Sequence, residues 1–371
     1  METYKLNSKL VENHKEYVIQ TSNDVSHGLV STEVYVNGVL ADSIQFPHPE
    51  RIKPEEIIAL VQTTHGEKKA EIETLLGTIN NTLNTANPET IYHLGLAFYF
   101  KHFYGEAKNL LQQALVINSD YHEAYNYLGL VELAFGNIDA ALQSIEKAVE
   151  MKPGYADYRN NLGEVYLSSG KYKKAALEFE RAININLYYA DAYFNYGLTL
   201  LMNAIAKQET DMFADFMTKA YDYFTKSAII QNEYKTSDFD KGLQALKNQN
   251  INDAFQLLKH VRESQKEVNR NRSSSYYMKY VIHPNWITEE AVIDRIVYLE
   301  KEIEKNPTYV DHYAELARCY LSHARMNWQK GIDKYKETYN INSSLTDIQE
   351  HIKEAEHVYD AIEHVMKKII D

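Results

Sequence analysis

The spacing of small residues constrains this chain more than any other feature. Among the 14 glycines of the 371-residue chain, four stand 34 residues apart: Gly95, Gly129, Gly163 and Gly197. Three alanines keep the same interval: Ala107, Ala141 and Ala175. A small residue in each of two neighbouring helices lets their backbones pack closely, and a fixed period repeats that packing along the chain. The spacing therefore predicts a solenoid of helical hairpins.

The second repeat is the clearest instance of the pattern. Gly129 falls in its first helix, Ala141, Ile145 and Ala148 fall in its second, and Pro153 closes it. In this motif and its period, the chain resembles the tetratricopeptide repeat (TPR) family over residues 88–343. The resemblance implies a mainly α fold, a TPR helical-hairpin solenoid.

Four regions follow from this frame. Residues 1–86 are predicted to be a small α+β module, and residues 88–268 to hold five repeats. Residues 276–343 are predicted to form two degenerate repeats, and residues 344–371 a C-terminal capping helix that closes the solenoid.

The N-terminal module is predicted to contain three strands and a helix. Residues 18–21, 29–36 and 39–46 are rich in β-branched residues and partly alternate between apolar and polar. Asn37-Gly38 favours a type I′ hairpin turn, because both central residues need positive φ. A helix is predicted to begin at Pro54.

The later repeats depart from the period in three places. The fourth carries an insertion of about eleven residues, around Asn203 to Asp215, which is predicted to lengthen both of its helices. The polar stretch from Asn269 to Ser275 is predicted to be a loop. A stretched turn is predicted near Trp328, and the capping helix is predicted to open at Thr346.

Charge and cysteine content limit the partners and the compartment. The net charge of −13 argues against nucleic acid, which needs clustered Lys and Arg, and favours a neutral to basic polypeptide. The single cysteine, Cys319, cannot form an internal disulfide, so we expect a reducing, cytoplasmic location. No apolar run is long enough to predict a membrane span.

No sequence motif predicts catalysis, a cofactor or a metal. Neither GxGxxG nor GxxxxGK is present, and the chain is expected not to be an enzyme. His27, His48 and His65 are the titratable candidates of the N-terminal module. A second set carries zinc-ligand types at helical spacing: His312, Glu315, Cys319 and His323. One straight helix places the first and last about 16 Å apart, too far for a single ion.

The TPR resemblance implies a ligand surface on the first helices of the repeats. The candidate groove residues are Tyr92, Glu123, Asn126, Asp157, Asn160, Asn161, Glu164, Asp191, Phe194 and Asn195. Two pairs of asparagines recur at the repeat interval, Asn126 with Asn160 and Asn161 with Asn195, and resemble the asparagine ladders of some TPR superhelices. An amide ladder can hold an extended peptide backbone, although these asparagines can equally be solvated polar residues.

Acidic residues near the starts of first helices have two explanations. Glu123, Asp157 and Asp191 can attract Lys or Arg of a ligand, or can stabilise the helix through its dipole. The lysines and arginine by which chaperone-binding TPR domains hold a C-terminal carboxylate are absent: the corresponding residues are Tyr92, Leu96, Asn126, Asp157 and Asn161.

The sequence therefore favours a non-enzymatic scaffold that binds an extended polypeptide in the concave TPR groove. The alternative is a self-assembling protein that forms a homo-oligomer through the ends of its solenoid.

Overall fold

A computed structural model describes residues 3–12, 14–24, 27–48, 52–84, 86–207, 215–280, 289–305, 310–342 and 345–370. The chain divides into two compact units, Met1–Ile282 and His283–Asp371. Each unit is described by itself.

The first unit opens with a four-stranded antiparallel sheet, ordered β1 (Lys5–Glu12), β2 (Lys15–Asp24), β3 (Leu29–Val36) and β4 (Val39–Pro47). The prediction of three strands was wrong, because β1 pairs with β2 along its whole length. β1 escaped detection because its sequence, KLNSKLVE, is mostly polar and one of its faces is exposed. The hairpin turn is confirmed: Asn37 has φ of 50° and Gly38 has φ of 81°.

One long helix, α1 (Pro54–Asn84), covers the sheet and runs without a break through Gly66. Ile57 and Val61 pack against Val30 of β3, while Ile72 and Leu75 join the core shared with the repeats. The sheet is also bonded directly to the first repeat, because Tyr17 donates from its hydroxyl to Glu106 Oε1 at 2.7 Å. The N-terminal module is thus part of the same unit as the solenoid.

Ten further helices form hairpins in the expected register. The first helices of the five hairpins are α2 (Pro88–Phe100), α4 (His122–Ala134), α6 (Ala156–Ser168), α8 (Ala190–Ala206) and α10 (Ser237–Lys247). The second helices are α3 (Tyr104–Ile117), α5 (Ile138–Met151), α7 (Tyr172–Ile185), α9 (Phe216–Ile230) and α11 (Ile251–Tyr280).

Glycine is required where the two helices of a hairpin touch. A Cβ placed on Gly163 would lie 2.6 Å from Cε1 of Phe179, which is fully buried. A Cβ on Gly129 would lie 2.3 Å from Cγ1 of Ile145 and 3.0 Å from the Ala141 carbonyl oxygen. The glycines recur every 34 residues because each lies where the two helices of its hairpin approach most closely.

The insertion in the fourth repeat lengthens its first helix. At 17 residues, α8 exceeds the 13 residues of α6 by about one turn, as predicted. The second helix, α9, has 15 residues against 14 in α7 and is barely longer. Most of the inserted stretch, residues 208–214, lies outside the described residues.

The predicted loop at Asn269 to Ser275 was wrong, since these residues lie within the 30-residue helix α11. Asparagine and serine have poor helix propensity, which made the stretch look irregular, but tertiary contacts of its neighbours override that preference. The prediction that a degenerate repeat begins at Tyr276 was also wrong, because α11 continues to Tyr280.

The second unit consists of α12 (Glu289–Lys305), α13 (Val310–Ile341) and α14 (Thr346–Ile370). The turn predicted near Trp328 was wrong, because α13 is one continuous helix of 32 residues. It packs against α12 and α14, and Trp328 donates from Nε1 to the Ala355 carbonyl oxygen at 3.0 Å. A helix does open at Thr346. Its capping role stays a prediction.

Candidate polypeptide-binding surface

The first helices of the repeats form one surface, and α11 lies along it. After pairing with α10, α11 contacts α8 of the fourth repeat and α2 of the first. We call the surface of α2, α4, α6 and α8 that faces α11 the concave groove. The groove is occupied by the chain's own helix.

The candidate asparagines bond to one another between repeats. Asn161 donates from Nδ2 to Asn126 Oδ1 at 3.0 Å, and Asn195 donates from Nδ2 to Asn160 Oδ1 at 2.9 Å. The asparagines that recur at the repeat interval, Asn126 with Asn160 and Asn161 with Asn195, are therefore not the ones that bond to each other. Each bond links the fifth position of one first helix to the sixth position of the next, so the asparagines serve as contacts between repeats.

The fifth position of α2, α4, α6 and α8 points into the contact between repeats. Tyr92, Asn126 and Asn160 are buried there, and Phe194 is fully buried between Tyr234 and Phe224, with ring centroids at 4.5 and 4.9 Å. Phe194 therefore offers no surface to a ligand, contrary to the expectation. Its position pattern matched the groove, but its side chain fills the core between repeats four and five.

The sixth position faces α11. Asn195 Oδ1 accepts a hydrogen bond from Arg262 Nε at 2.9 Å, and His93 lies 6.2 Å from Tyr277 between ring centroids. Tyr127, at the same position of α4, packs in the same cluster as Tyr277. The sixth position of α2, α4 and α8 therefore lies next to the occupying helix.

Acidic residues of the groove hold the basic residues of α11. Arg262 Nη2 lies 3.1 Å from Asp191 Oδ2 and 3.4 Å from Glu164 Oε1, and Lys266 Nζ lies 2.6 Å from Glu164 Oε2. Burial by itself would raise the pKa of the Glu164 carboxyl, but Lys266 and Arg262 outweigh burial and lower that pKa to about 2. Glu164 is therefore ionised at neutral pH.

Glu123 and Asp157 lie in the first turns of α4 and α6. Glu123 Oε2 stands 3.1 Å from His122 Nδ1, with over a third of its side chain exposed, and Asp157 is exposed. These two carboxylates remain accessible to a ligand.

The groove residues of α11 were missed from the sequence. Arg262, Lys266 and Arg270 are spaced four residues apart, which puts them on one face of a helix. That spacing is the signal that could have found them. It was hidden because residues 269–275 were assigned to a loop.

The histidines of the N-terminal module do not form a catalytic arrangement among the described residues. His65 Nε2 lies 2.7 Å from Ser8 Oγ, but Nδ1 lies 3.0 Å from the hydroxyl of Thr21 rather than from a carboxylate that could stabilise an imidazolium. Burial lowers the pKa of His65. His27 pairs with Asp24 in an exposed turn, and the backbone of His48 bonds to Gly28. A structural role accounts for these contacts.

The structure describes the side chains of two of the four candidate metal ligands, Cys319 and His323. His323 Nε2 lies 3.1 Å from Glu289 Oε1, and the side chains of His312 and Glu315 lie outside the described part of α13. In the described ranges, no helix combines the length and apolar character of a membrane span.

Stacked helical hairpins with a groove on their first helices define a helical-repeat protein. A family model described as "Tetratricopeptide repeat" matches residues 92–156 and 130–187. Residues 92–187 therefore consist of tetratricopeptide repeats.

Several solved structures are similar, although no curated protein matches the chain by sequence. The MamA protein is 26% identical, with a TM-score of 0.36, and the match covers 45% of this chain and 91% of MamA. YrrB, titled "a TPR protein with an unusual peptide-binding site", is 17% identical, with a TM-score of 0.35, covering 54% of this chain and 96% of YrrB. MamA from Desulfovibrio magneticus RS-1 is 18% identical, with a TM-score of 0.36, covering 49% and 95%.

Proposed function

We propose that this protein is a non-enzymatic interaction scaffold whose concave groove binds a polypeptide. The observation that carries the proposal is the seating of α11, because Glu164 and Asp191 engage Arg262 and Lys266 of that helix. The groove thus already holds a polypeptide segment through charge and amide contacts. Binding a separate chain would use the same chemistry.

The charge of the groove indicates a neutral to basic partner. The net charge of the chain is −13, and the exposed carboxylates of Glu123 and Asp157, which are part of that charge, would attract Lys or Arg side chains. A reducing compartment such as the cytoplasm suits a chain whose one cysteine, Cys319, cannot form an internal disulfide.

Charge reversal of the accessible carboxylates tests the proposal. Partners captured from the native host by the full-length protein would be identified and purified, and their association rates measured at two salt concentrations. Glu123→Lys with Asp157→Lys should slow association several-fold, and the effect should shrink as salt rises. Asp191 is left unchanged in this test because it holds Arg262.

The matched control is Asp139→Lys with Glu150→Lys, which makes the same change of charge at two exposed positions on α5, a second helix. Association that falls equally in both double variants would reflect net charge alone. In that case the concave groove is not the contact.

Self-assembly is the second candidate, and exposed apolar residues of the second unit favour it. Leu321, Trp328 and Tyr335 recur every seven residues on α13 and are 37%, 41% and 40% exposed, even though Trp328 and Tyr335 also contact α14. Such a stripe can pack against a second copy. Light scattering should then give a mass at least twice 43.0 kDa, and Leu321→Ser with Tyr335→Ser should restore the monomer. A monomeric wild type at tens of micromolar contradicts this candidate.

A further inference from the structure

The two parts of α11 have different roles. Ala254, Leu258 and Val261 of the first part are buried against α10 and its neighbours, as in the second helix of any repeat. Residues 266–278, which we call the strap, continue beyond that pairing and reach α2 of the first repeat. The strap is therefore an addition to the repeat architecture.

The basic residues of the strap face the groove at one helical spacing. Lys266 pairs with Glu164 of α6, as described above. Arg270, four residues further on, donates from Nη1 to the Tyr104 hydroxyl at 2.9 Å, and its guanidinium lies 5.6 Å from the centroid of the Tyr99 ring. With Arg262 preceding them by four residues, they form a single basic stripe on the helix.

An aromatic contact fixes the far end of the strap. The Tyr277 ring stacks on Phe100 of α2, with centroids 5.4 Å apart and planes inclined by 12°. Met278 packs against the same aromatic cluster. The groove therefore contacts two features of the helix that occupies it: a basic stripe, and an aromatic residue two turns beyond that stripe.

The strap is held mainly by polar contacts. Of its described side chains, Ser274 is the one that is buried, and Ser274 Oγ has no hydrogen-bond partner among the described residues. The Lys266 side chain is 44% exposed, so water can solvate its ammonium group when it leaves Glu164. The described apolar contacts of the strap with the repeats come from Tyr277 and Met278 at its far end, so the strap can leave the groove while the first part of α11 stays paired with α10.

We propose that the strap is an internal ligand of the concave groove, and that the partner is a helix which displaces it by presenting Lys or Arg four residues apart followed by an aromatic residue. This inference rests on the proposed function, since it names the partner chemistry of the same surface. It replaces the extended peptide expected from the sequence with a helix, the form in which the groove is occupied.

A labelled peptide that copies residues 264–280 tests the proposal. Its binding to full-length protein would be followed by fluorescence anisotropy. Lys266→Glu with Arg270→Glu in the protein should release the strap, because both new carboxylates face acidic or aromatic groove residues, and should tighten peptide binding at least tenfold over wild type. A peptide carrying the same two changes should not bind. Equal binding of the unmodified peptide by wild type and the released variant overturns the proposal.

Two further variants make the result specific. Lys259→Glu with Arg272→Glu changes the same charge at exposed positions of α11, and should bind the peptide no better than wild type. Tyr277→Ala removes the stacking contact without a change of charge and should also tighten binding several-fold. If the control pair behaves like the released variant, charge alone explains the gain and the strap is not the cause.

Failure of this proposal can be told from failure of the proposed function. If strap release changes nothing while the Glu123 and Asp157 reversal slows partner association, the groove binds polypeptides and the strap is not its ligand. If the peptide does not bind to any variant and that reversal also has no effect, the proposed function fails, and the strap proposal fails with it.

Discussion

Arg262 donates a hydrogen bond from Nε to Oδ1 of Asn195 at 2.9 Å, across 67 positions of sequence. The same guanidinium donates from Nη1 to the Tyr234 hydroxyl at 3.2 Å and pairs with Asp191 and Glu164. Its side chain is 6% exposed. The second helix of the fifth repeat is thereby bonded to the first helices of the third and fourth, which fixes the start of the strap in the groove.

Arg262→Met should destabilise the protein by about 3 kcal/mol, because the partly buried carboxylates of Asp191 and Glu164 lose this guanidinium. Urea denaturation of the full-length protein measures the change. Arg272→Met, at an exposed position of the same helix, should stay within about 0.5 kcal/mol of wild type. Similar losses in the two variants would show that the buried pairing is unimportant.

The stability should depend on the ionisation of Glu164. Its pKa is about 2 in the folded protein, whereas an unperturbed glutamate has a pKa of about 4.3. A carboxyl whose pKa is lowered by folding contributes stability that is present above the unfolded pKa and is lost as pH falls through the folded one. The contribution is on the order of 3 kcal/mol at neutral pH.

Glu164→Gln removes that titration. The difference in unfolding free energy between wild type and this variant should be largest above about pH 5 and shrink as pH falls towards about 2. A difference that stays constant with pH would mean that the carboxylate is not stabilised by Lys266 and Arg262. Glu150→Gln, at an exposed position, is the matched control.

The effects of mutating two hydrogen-bonded asparagines on the free energy of unfolding should not be additive. Asn161→Ala leaves the buried Asn126 amide without its partner and should cost about 1–3 kcal/mol. In a double-mutant cycle, Asn126→Ala with Asn161→Ala should show a coupling energy of about 0.5–3 kcal/mol. Asn126→Ala with Asn184→Ala, whose side chain is exposed on α7, should be additive. Additivity in both cycles contradicts the observed pairing.

Glycine should matter only where helices touch. Gly163→Ala places a Cβ 2.6 Å from Phe179 and should destabilise by about 1–3 kcal/mol. Gly77→Ala, in α1 where nothing lies within 4 Å, should stabilise by up to about 1 kcal/mol. Thermal melts of both variants provide the comparison. A stabilised Gly163→Ala protein would contradict the packing described for the third repeat.

Local pattern predicted the repeats well, because Gly129 and Gly163 are required at contacts within each hairpin. The Asn37-Gly38 turn was predictable for the same reason, since its backbone geometry restricts the residue type. These features depend on neighbours within a few dozen residues. A single repeat therefore carries enough information to reveal them.

The strap was not predictable in this way. Residues 269–275 have low helix propensity, and Arg270 and Tyr277 find their partners in Tyr104 and Phe100, over 160 positions earlier. The hydrogen bonds between the asparagines were not predictable for a related reason, because two adjacent positions of each first helix contact different repeats. The contacts of the strap and the bonds between asparagines both depend on how successive repeats are arranged, and the sequence of a single repeat does not contain that information.

Hydrogen exchange of the wild-type protein with the peptide of residues 264–280 tests the central claim most directly. The peptide is labelled with ¹⁵N, so that its fragments differ in mass from fragments of the protein with the same sequence. If the strap is the internal ligand of the groove, saturating peptide should speed exchange over residues 266–278 and leave α2 and α8 protected. If the peptide binds and residues 266–278 keep their protection, the peptide occupies another surface and the account is wrong.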